Sequence, residues 1–239
     1  VPASSDVARR RLLWCSAAKL AVSFSVSEAF TLIPLEAERR GMTEAAAMSV
    51  LSMQSAAYVL ASPCIGRYLD DTEPASRAVG KPGLKSPAER ALGLGLAATG
   101  LGTLCLGLSM RWPALCAARL VQGAGAAAAE VAAMVLVTEV FPEERLAFAE
   151  GWLETATGIG YVLGLPCAGL LYGGERGGTL AAFTVGAFLC LLFVVLVIAG
   201  SACKETSQDE KTDQGVKNDY AALSEAPKVG EEVDGKESD

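Results

Sequence analysis

Six stretches of this chain are too long and too apolar to be loops or strands of a protein folded in water, and they fix what it can become. A helix that crosses a bilayer needs about 20 mostly apolar residues. The candidates are residues 12–34, 45–65, 91–110, 113–137, 148–172 and 180–200. Only 6% of the chain is aromatic, and Ala, Gly and Leu fill the apolar share. Small residues let helices approach closely in lipid, where packing rather than water exclusion drives association. The connections at 35–43, 110–113, 141–147 and 173–179 are short, so neighbouring helices run antiparallel, whereas 67–90 reads as a long charged loop. The fold class expected is therefore an all-α membrane protein with six transmembrane helices.

Charge divides the chain into three parts. Residues 203–239 carry eleven Asp/Glu and five Lys, so nearly all of the net charge of −7 belongs to that segment. With almost no apolar residues it reads as a disordered acidic tail or linker. Residues 1–11 form a short N-terminal segment, and 12–202 form the bundle. Lys/Arg counts set the orientation. Ten fall on the side shared by the N-terminus, the second and fourth loops and the tail. Four (Arg39, Arg40, Arg111 and Arg176) fall on the other. Both termini are expected in the cytoplasm. Arg9, Arg10 and Arg11 ahead of an apolar run resemble a signal peptide, but Lys19 and Glu28 interrupt that run, and a retained first helix is the better reading.

Several chemistries are disfavoured. The sequence has no histidine, hence no His-based triad and none of the commonest metal ligand. The seven cysteines are scattered without metal-like spacing. Gly93-Leu94-Gly95-Leu96-Ala97-Ala98-Thr99-Gly100 lies inside an apolar span rather than after a strand, so it is no dinucleotide loop. No cofactor, no bound metal, no nucleic-acid partner and no enzymatic activity are expected.

The charges inside the spans point instead to a polar passage. A charged side chain in a span costs roughly 2.5–3.5 kcal/mol by insertion scales, so such groups face a bundle interior or water. The first span holds Lys19 and Glu28, the fourth Arg119 and Glu130, and the fifth Glu150 and Glu154, while the third and sixth hold none. The third and sixth helices are therefore expected to face lipid. Arg119 and Glu130 are eleven residues apart, about 20° from one another around a helix and about 16 Å along it, so both can face one cavity. Lys19 and Glu28 fall on opposite faces. Lys19 can snorkel to the interface, which leaves Glu28 as the cavity residue of the first helix.

Three motifs carry a resemblance. Ser62-Pro63-Cys64-Ile65-Gly66-Arg67-Tyr68-Leu69-Asp70-Asp71 follows the second span, Arg119-Leu120-Val121-Gln122-Gly123 lies in the fourth, and Gly160-Tyr161-Val162-Leu163-Gly164-Leu165-Pro166-Cys167-Ala168-Gly169 lies in the fifth. In this order they resemble the loop, Arg-x-x-Gln-Gly and antiporter signatures of the major facilitator superfamily, specifically its N-terminal six-helix half. Asp71 stands where the family has Arg, Leu165 where it has a first Pro, and Ala168 where it has a Gly. Ile33-Pro34-Leu35-Glu36-Ala37-Glu38-Arg39-Arg40-Gly41 and Leu153-Glu154-Thr155 are most similar in look to the vesicular amine and polyamine branch.

The resemblance implies secondary transport of a small solute by alternating access between two six-helix bundles. It places Gly66 at a close helix contact, Asp70 at a gate, Arg119 in proton coupling, and Gln122 and Gly123 beside it as gating and packing residues. Gly160, Gly164 and Gly169 would flatten one surface, and Pro166 would permit a bend. It also implies that the chain is a fragment whose C-terminal half is missing or replaced by a second copy. If the amine branch is right, the substrate is an organic cation exchanged for protons, with Glu28, Glu130 and Glu154 as binding carboxylates. A transporter of neutral or anionic solutes (a drug or a sugar) and a non-transporting six-span scaffold remain alternatives.

Overall fold

A computed structural model describes residues 5–79, 86–108, 111–173 and 178–196, and every secondary-structure element among them is helical. The helices are α1 (Ser5–Arg39), α2 (Glu44–Val79), α3 (Pro87–Leu108), α4 (Trp112–Thr138), α5 (Glu143–Gly173) and α6 (Thr179–Leu196). Each is long and apolar enough to cross a bilayer. The acidic tail at 203–239 lies outside the described residues.

Local chemistry sets the ends. α1 runs past the apolar stretch and stops where Gly41 takes φ +67°. There the Gly41 and Met42 amides donate to the Glu38 and Ala37 carbonyls, closing the helix with the paired bonds that a left-handed glycine allows. Thr43 Oγ1 accepts from the Ala46 amide and starts α2. Ser86 Oγ does the same for the Glu89 amide and starts α3. Pro142 precedes Glu143 and Glu144 at the start of α5, where missing donors and negative charge suit a helix N-terminus.

One boundary differs from the sequence reading. Residues 67–79 are not loop but the end of α2, so the Gly66–Asp71 motif sits on a helix. Leu69 is buried there among residues of α1, α3 and α4, and Thr72 Oγ1 donates to the Tyr68 carbonyl.

α1 is the axis of the bundle. Its most apolar window is 72% buried, against 22% for α2 and for α5. The most extensive pairings are α3 with α4, α1 with α5 and α2 with α4. The α3–α4 crossing is a small-residue seam in which a Cβ on Gly125 would come within 2.7 Å of the Thr99 amide nitrogen. α6 rests on α3 and α1, with Gly100 against Cys190 and Ala187, and Gly186 against Ser25 and Glu28. Two apolar cores fill the ends of the bundle, one around Val22, Leu92, Ala132 and Leu153, the other around Leu32, Val50, Leu115 and Phe183. Ser25, Ser27, Glu28, Thr99, Thr103, Arg119 and Gln122 are buried polar residues where the two meet.

The expectation that α3 and α6 only face lipid is half right. Their outer sides present Leu94, Leu101, Phe188 and Val195, but Thr103 of α3 and Cys190 of α6 belong to the buried interior. At one end Arg11 of α1 reaches Glu89 of α3 (3.4 Å) and Glu139 after α4 (2.8 Å). At the other, Glu36 accepts from Arg40 Nε (2.5 Å), the Tyr172 hydroxyl (3.1 Å) and the Thr179 hydroxyl (3.2 Å), which ties α1 to α5 and α6.

Candidate functional site

α2 and α5 have no contact with one another among the described residues; each leans on one of the two helices between them. The space between them, bounded by α1 and α4, is the candidate groove. The groove exists because α5 presents its small residues to α1: a Cβ on Gly160 would come within 2.6 Å of the Leu20 carbonyl oxygen, and one on Gly164 would overlap Ser27. α2 approaches α4 in the same way, with Gly123 against the Gln54 carbonyl. Gly66 and Gly169 face open space, so the close contacts expected of them are not made within this bundle. Gly169 is nine residues beyond Gly160, half a turn round the helix from it. Pro166 is exposed within an unbroken α5, and Asp70 is exposed on α2.

The groove carries a charged cluster at one depth. Lys19 of α1 donates to Glu154 Oε1 of α5 at 2.6 Å. The lysine is 4% exposed and the glutamate 63%. The Tyr58 hydroxyl of α2 donates to Glu130 Oε2 of α4 at 2.8 Å. Glu130 lies within electrostatic reach of both Lys19 and Glu154, which joins the two pairs across the floor. Tyr161, seven residues beyond Glu154 on the same side of α5, lies within reach of both Glu130 and Arg119. Two carboxylates thus lie near one ammonium, which is bonded to Glu154.

A second polar layer is sealed. Arg119 is fully buried; its guanidinium donates to Gln122 Oε1 and stacks 5.5 Å from the Phe30 ring centroid. Gln122 Nε2 donates to Thr103 Oγ1 (2.8 Å) and to the Ser25 carbonyl (3.3 Å), fixing α4 to α3 and α1. Arg119 Nε and Nη2 have no hydrogen-bond partner among the described residues.

Two assignments from sequence are reversed. Glu28 does not face the groove. It is fully buried, its carboxylate lies against Gly186 of α6, and neither oxygen is hydrogen-bonded among the described residues. Lys19 does not snorkel; it turns into the groove wall. The nine-residue spacing correctly separates their faces, but only the packed neighbours say which face is which. The structure therefore brings Glu130 and Glu154 together and places Arg119 with Gln122, while Glu28 stands apart. Lys19, Tyr58 and Tyr161 complete the groove cluster and were not singled out for it. The only trace of Tyr58 in the sequence is a phenol near the middle of an apolar span.

No group of three or more His, Cys, Asp or Glu side chains able to hold a metal ion occurs among the described residues. Arginine and carboxylates on helices that each span the bilayer can bind and release a small solute or a proton. No curated protein matches the chain. Residues 13–226 match the Major Facilitator Superfamily. A multi-pass membrane protein with six apolar helices, matched over most of its length, this chain belongs to the Major Facilitator Superfamily of secondary transporters of small solutes.

Proposed function

We propose that the chain forms one bundle of a proton-coupled antiporter for a small organic cation, of the amine or polyamine kind, with its N-terminus and the end of α6 on the cytoplasmic side. A second six-helix bundle, from a longer chain or a second copy, closes the groove between α2 and α5. The observation that carries this reading is the unbalanced cluster: Glu130 and Glu154 against Lys19 alone. A site with two carboxylates to one ammonium between helices favours a cation and disfavours an anion. Protons and cations compete for the same carboxylates, and that competition couples their opposite movements.

The apolar and aromatic surroundings complete the selection. Phe30 and Tyr161 are exposed beside the polar residues and offer rings on which an alkylammonium rests. Arg119 is too far enclosed to meet solute in this state and acts on the cluster through Tyr161. Glu28, sealed behind α6, serves as a proton-holding group rather than a ligand of the solute.

Substitution of Glu28, Glu130 and Glu154 by Gln, one at a time in the full-length protein, tests this in proteoliposomes with an imposed pH gradient. Uptake of an organic cation should fall at least tenfold for Glu130→Gln and Glu154→Gln. For Glu28→Gln, the pH-gradient-driven component should be lost while exchange of cation for cation persists. Undiminished gradient-driven uptake in all three removes the carboxylate mechanism. A panel of cationic, neutral and anionic solutes tests the substrate class.

A further inference from the structure

We propose that Lys19 is a built-in competitor of the transported cation: its ammonium occupies Glu154 when the groove is empty and is displaced from it when solute binds. This rests on the cation-antiport reading above and adds the identity of the group that replaces the solute during the return step.

The pair is asymmetric. Lys19 is enclosed by the bundle, while the Glu154 it holds is largely exposed to the groove. A tie between two helices needs no such exposure; a site that solute can reach does. An exposed carboxylate with an enclosed partner is accessible from the groove side without moving the lysine first. Glu154 presents a second oxygen that Lys19 does not hold.

Glu130 stands across the groove floor with one oxygen bound to the Tyr58 hydroxyl. An incoming alkylammonium therefore meets two carboxylates partly satisfied by a phenol and an amine, and it can take over the place of the amine. Lysine suits the part. Its ammonium is a compact point charge on a flexible four-carbon stem, chemically the same group as a primary amine solute.

The consequence is kinetic. A bundle left with two bare carboxylates after releasing solute would carry two unpaired charges into the rearrangement. With Lys19 returned to Glu154 only one remains. Lys19 thus lowers affinity for the solute and speeds the return of the carrier that has released it, leaving a single carboxylate, Glu130, for the counter-transported proton to neutralise. No bond is made or broken; one ammonium exchanges for another at the same oxygen.

Full-length protein in proteoliposomes, assayed with radiolabelled spermidine, decides the matter. Lys19→Gln should lower the KM for spermidine roughly tenfold. It should also slow net uptake into empty vesicles far more than exchange into spermidine-loaded vesicles. Lys19→Arg should move KM the other way, up severalfold, because the planar guanidinium grips a carboxylate through two donors. A purely structural tie would instead weaken both modes of transport together in Lys19→Gln and be preserved in Lys19→Arg. An unchanged or raised KM in Lys19→Gln overturns the proposal. If that variant does not fold, an unchanged or lowered KM in Lys19→Arg overturns it. Absence of flux for spermidine and for monovalent amines in the unmodified protein removes the cation reading itself and this inference with it.

Discussion

The α1–α5 crossing sets the geometry of the groove, and Gly160→Ala probes it with a single methyl group. The added Cβ would stand 2.6 Å from the Leu20 carbonyl oxygen and 2.8 Å from Ser23 Cβ, where ordinary contact begins at 3.4 Å. Both neighbours are backbone or the first atom of a side chain, so neither can swing aside. The helices must part by about 0.8 Å. Overpacking of this kind costs about 1–3 kcal/mol, roughly a 5- to 150-fold shift in the folding equilibrium. Leu20 adjoins Lys19, so the same movement stretches the 2.6 Å bond to Glu154 toward the limit of a hydrogen bond. Gly158→Ala on the same helix is the control, because its Cβ would meet nothing within 4 Å. Thermal unfolding of the detergent-solubilised protein should show Gly160→Ala clearly destabilised relative to Gly158→Ala, which should match the parent or exceed it by up to about 1 kcal/mol, alanine being the better helix former. Initial flux should fall only in the first. Equal stability of the two variants would refute the close crossing and the placement of Glu154 that depends on it.

Two further outcomes follow from the sealed layer and from the end of the bundle opposite Arg11. Arg119→Lys retains the charge but loses the planar guanidinium that lies over Phe30 while one of its nitrogens donates to Gln122; initial-rate transport should fall about tenfold or more, and parental flux would contradict the assigned role of the guanidinium. Glu36→Gln removes the charge that gathers Arg40, Tyr172 and Thr179 at the junction of α1, α5 and α6. Hydrogen bonds to a charged group are worth about 1.5–3 kcal/mol when buried and less where, as for Arg40, the partner is half exposed. The expected loss is therefore about 1–2 kcal/mol, read as a lower unfolding temperature with faster amide exchange at residues 33–39.

The six spans were legible because hydropathy over 20 residues is a strong signal, but their ends were not: α1, α3 and α5 run several residues past their apolar stretches, as far as Gly41, Ser86 and Pro142. Nor was the extension of α2, which is a polar stretch with one buried leucine, Leu69. The partners of the charges were not legible either. Spacing on one helix gives relative direction, so Lys19 against Glu28 could be sorted by angle alone, whereas Arg119 and Glu130, close in angle, lie in different polar layers. Absolute direction depends on which helix lies alongside, and Lys19 finds Glu154 across 135 residues of chain. The glycines divide on the same principle. Gly160 and Gly164 are four apart and share a face, whereas Gly66 and Gly169 look alike in sequence and face open space.

Charge within a bilayer must be compensated, and which groups lack compensation separates structure from transport. Lys19 answers Glu154, Tyr58 answers one oxygen of Glu130, and Gln122 answers part of Arg119. These contacts explain why four helices hold their places around the groove. They do not explain both oxygens of Glu28, nor Arg119 Nε and Nη2, which are buried without a hydrogen-bond partner among the described residues. A purely structural bundle gains nothing from retaining them, since apolar residues of similar volume would pack in the same space without the desolvation cost. Their retention is intelligible in a machine whose cycle includes a state where a proton, a solute or a second bundle meets those atoms. The two kinds of site also lie at different depths: nine residues separate Lys19 from Glu28, about 13 Å along α1. In the proposed antiport cycle, a proton at Glu28 and a cation between Glu130 and Glu154 would compete through movement of α1 as well as through shared ligands. Loss of gradient-driven uptake with preserved exchange in Glu28→Gln is the signature that such an arrangement requires.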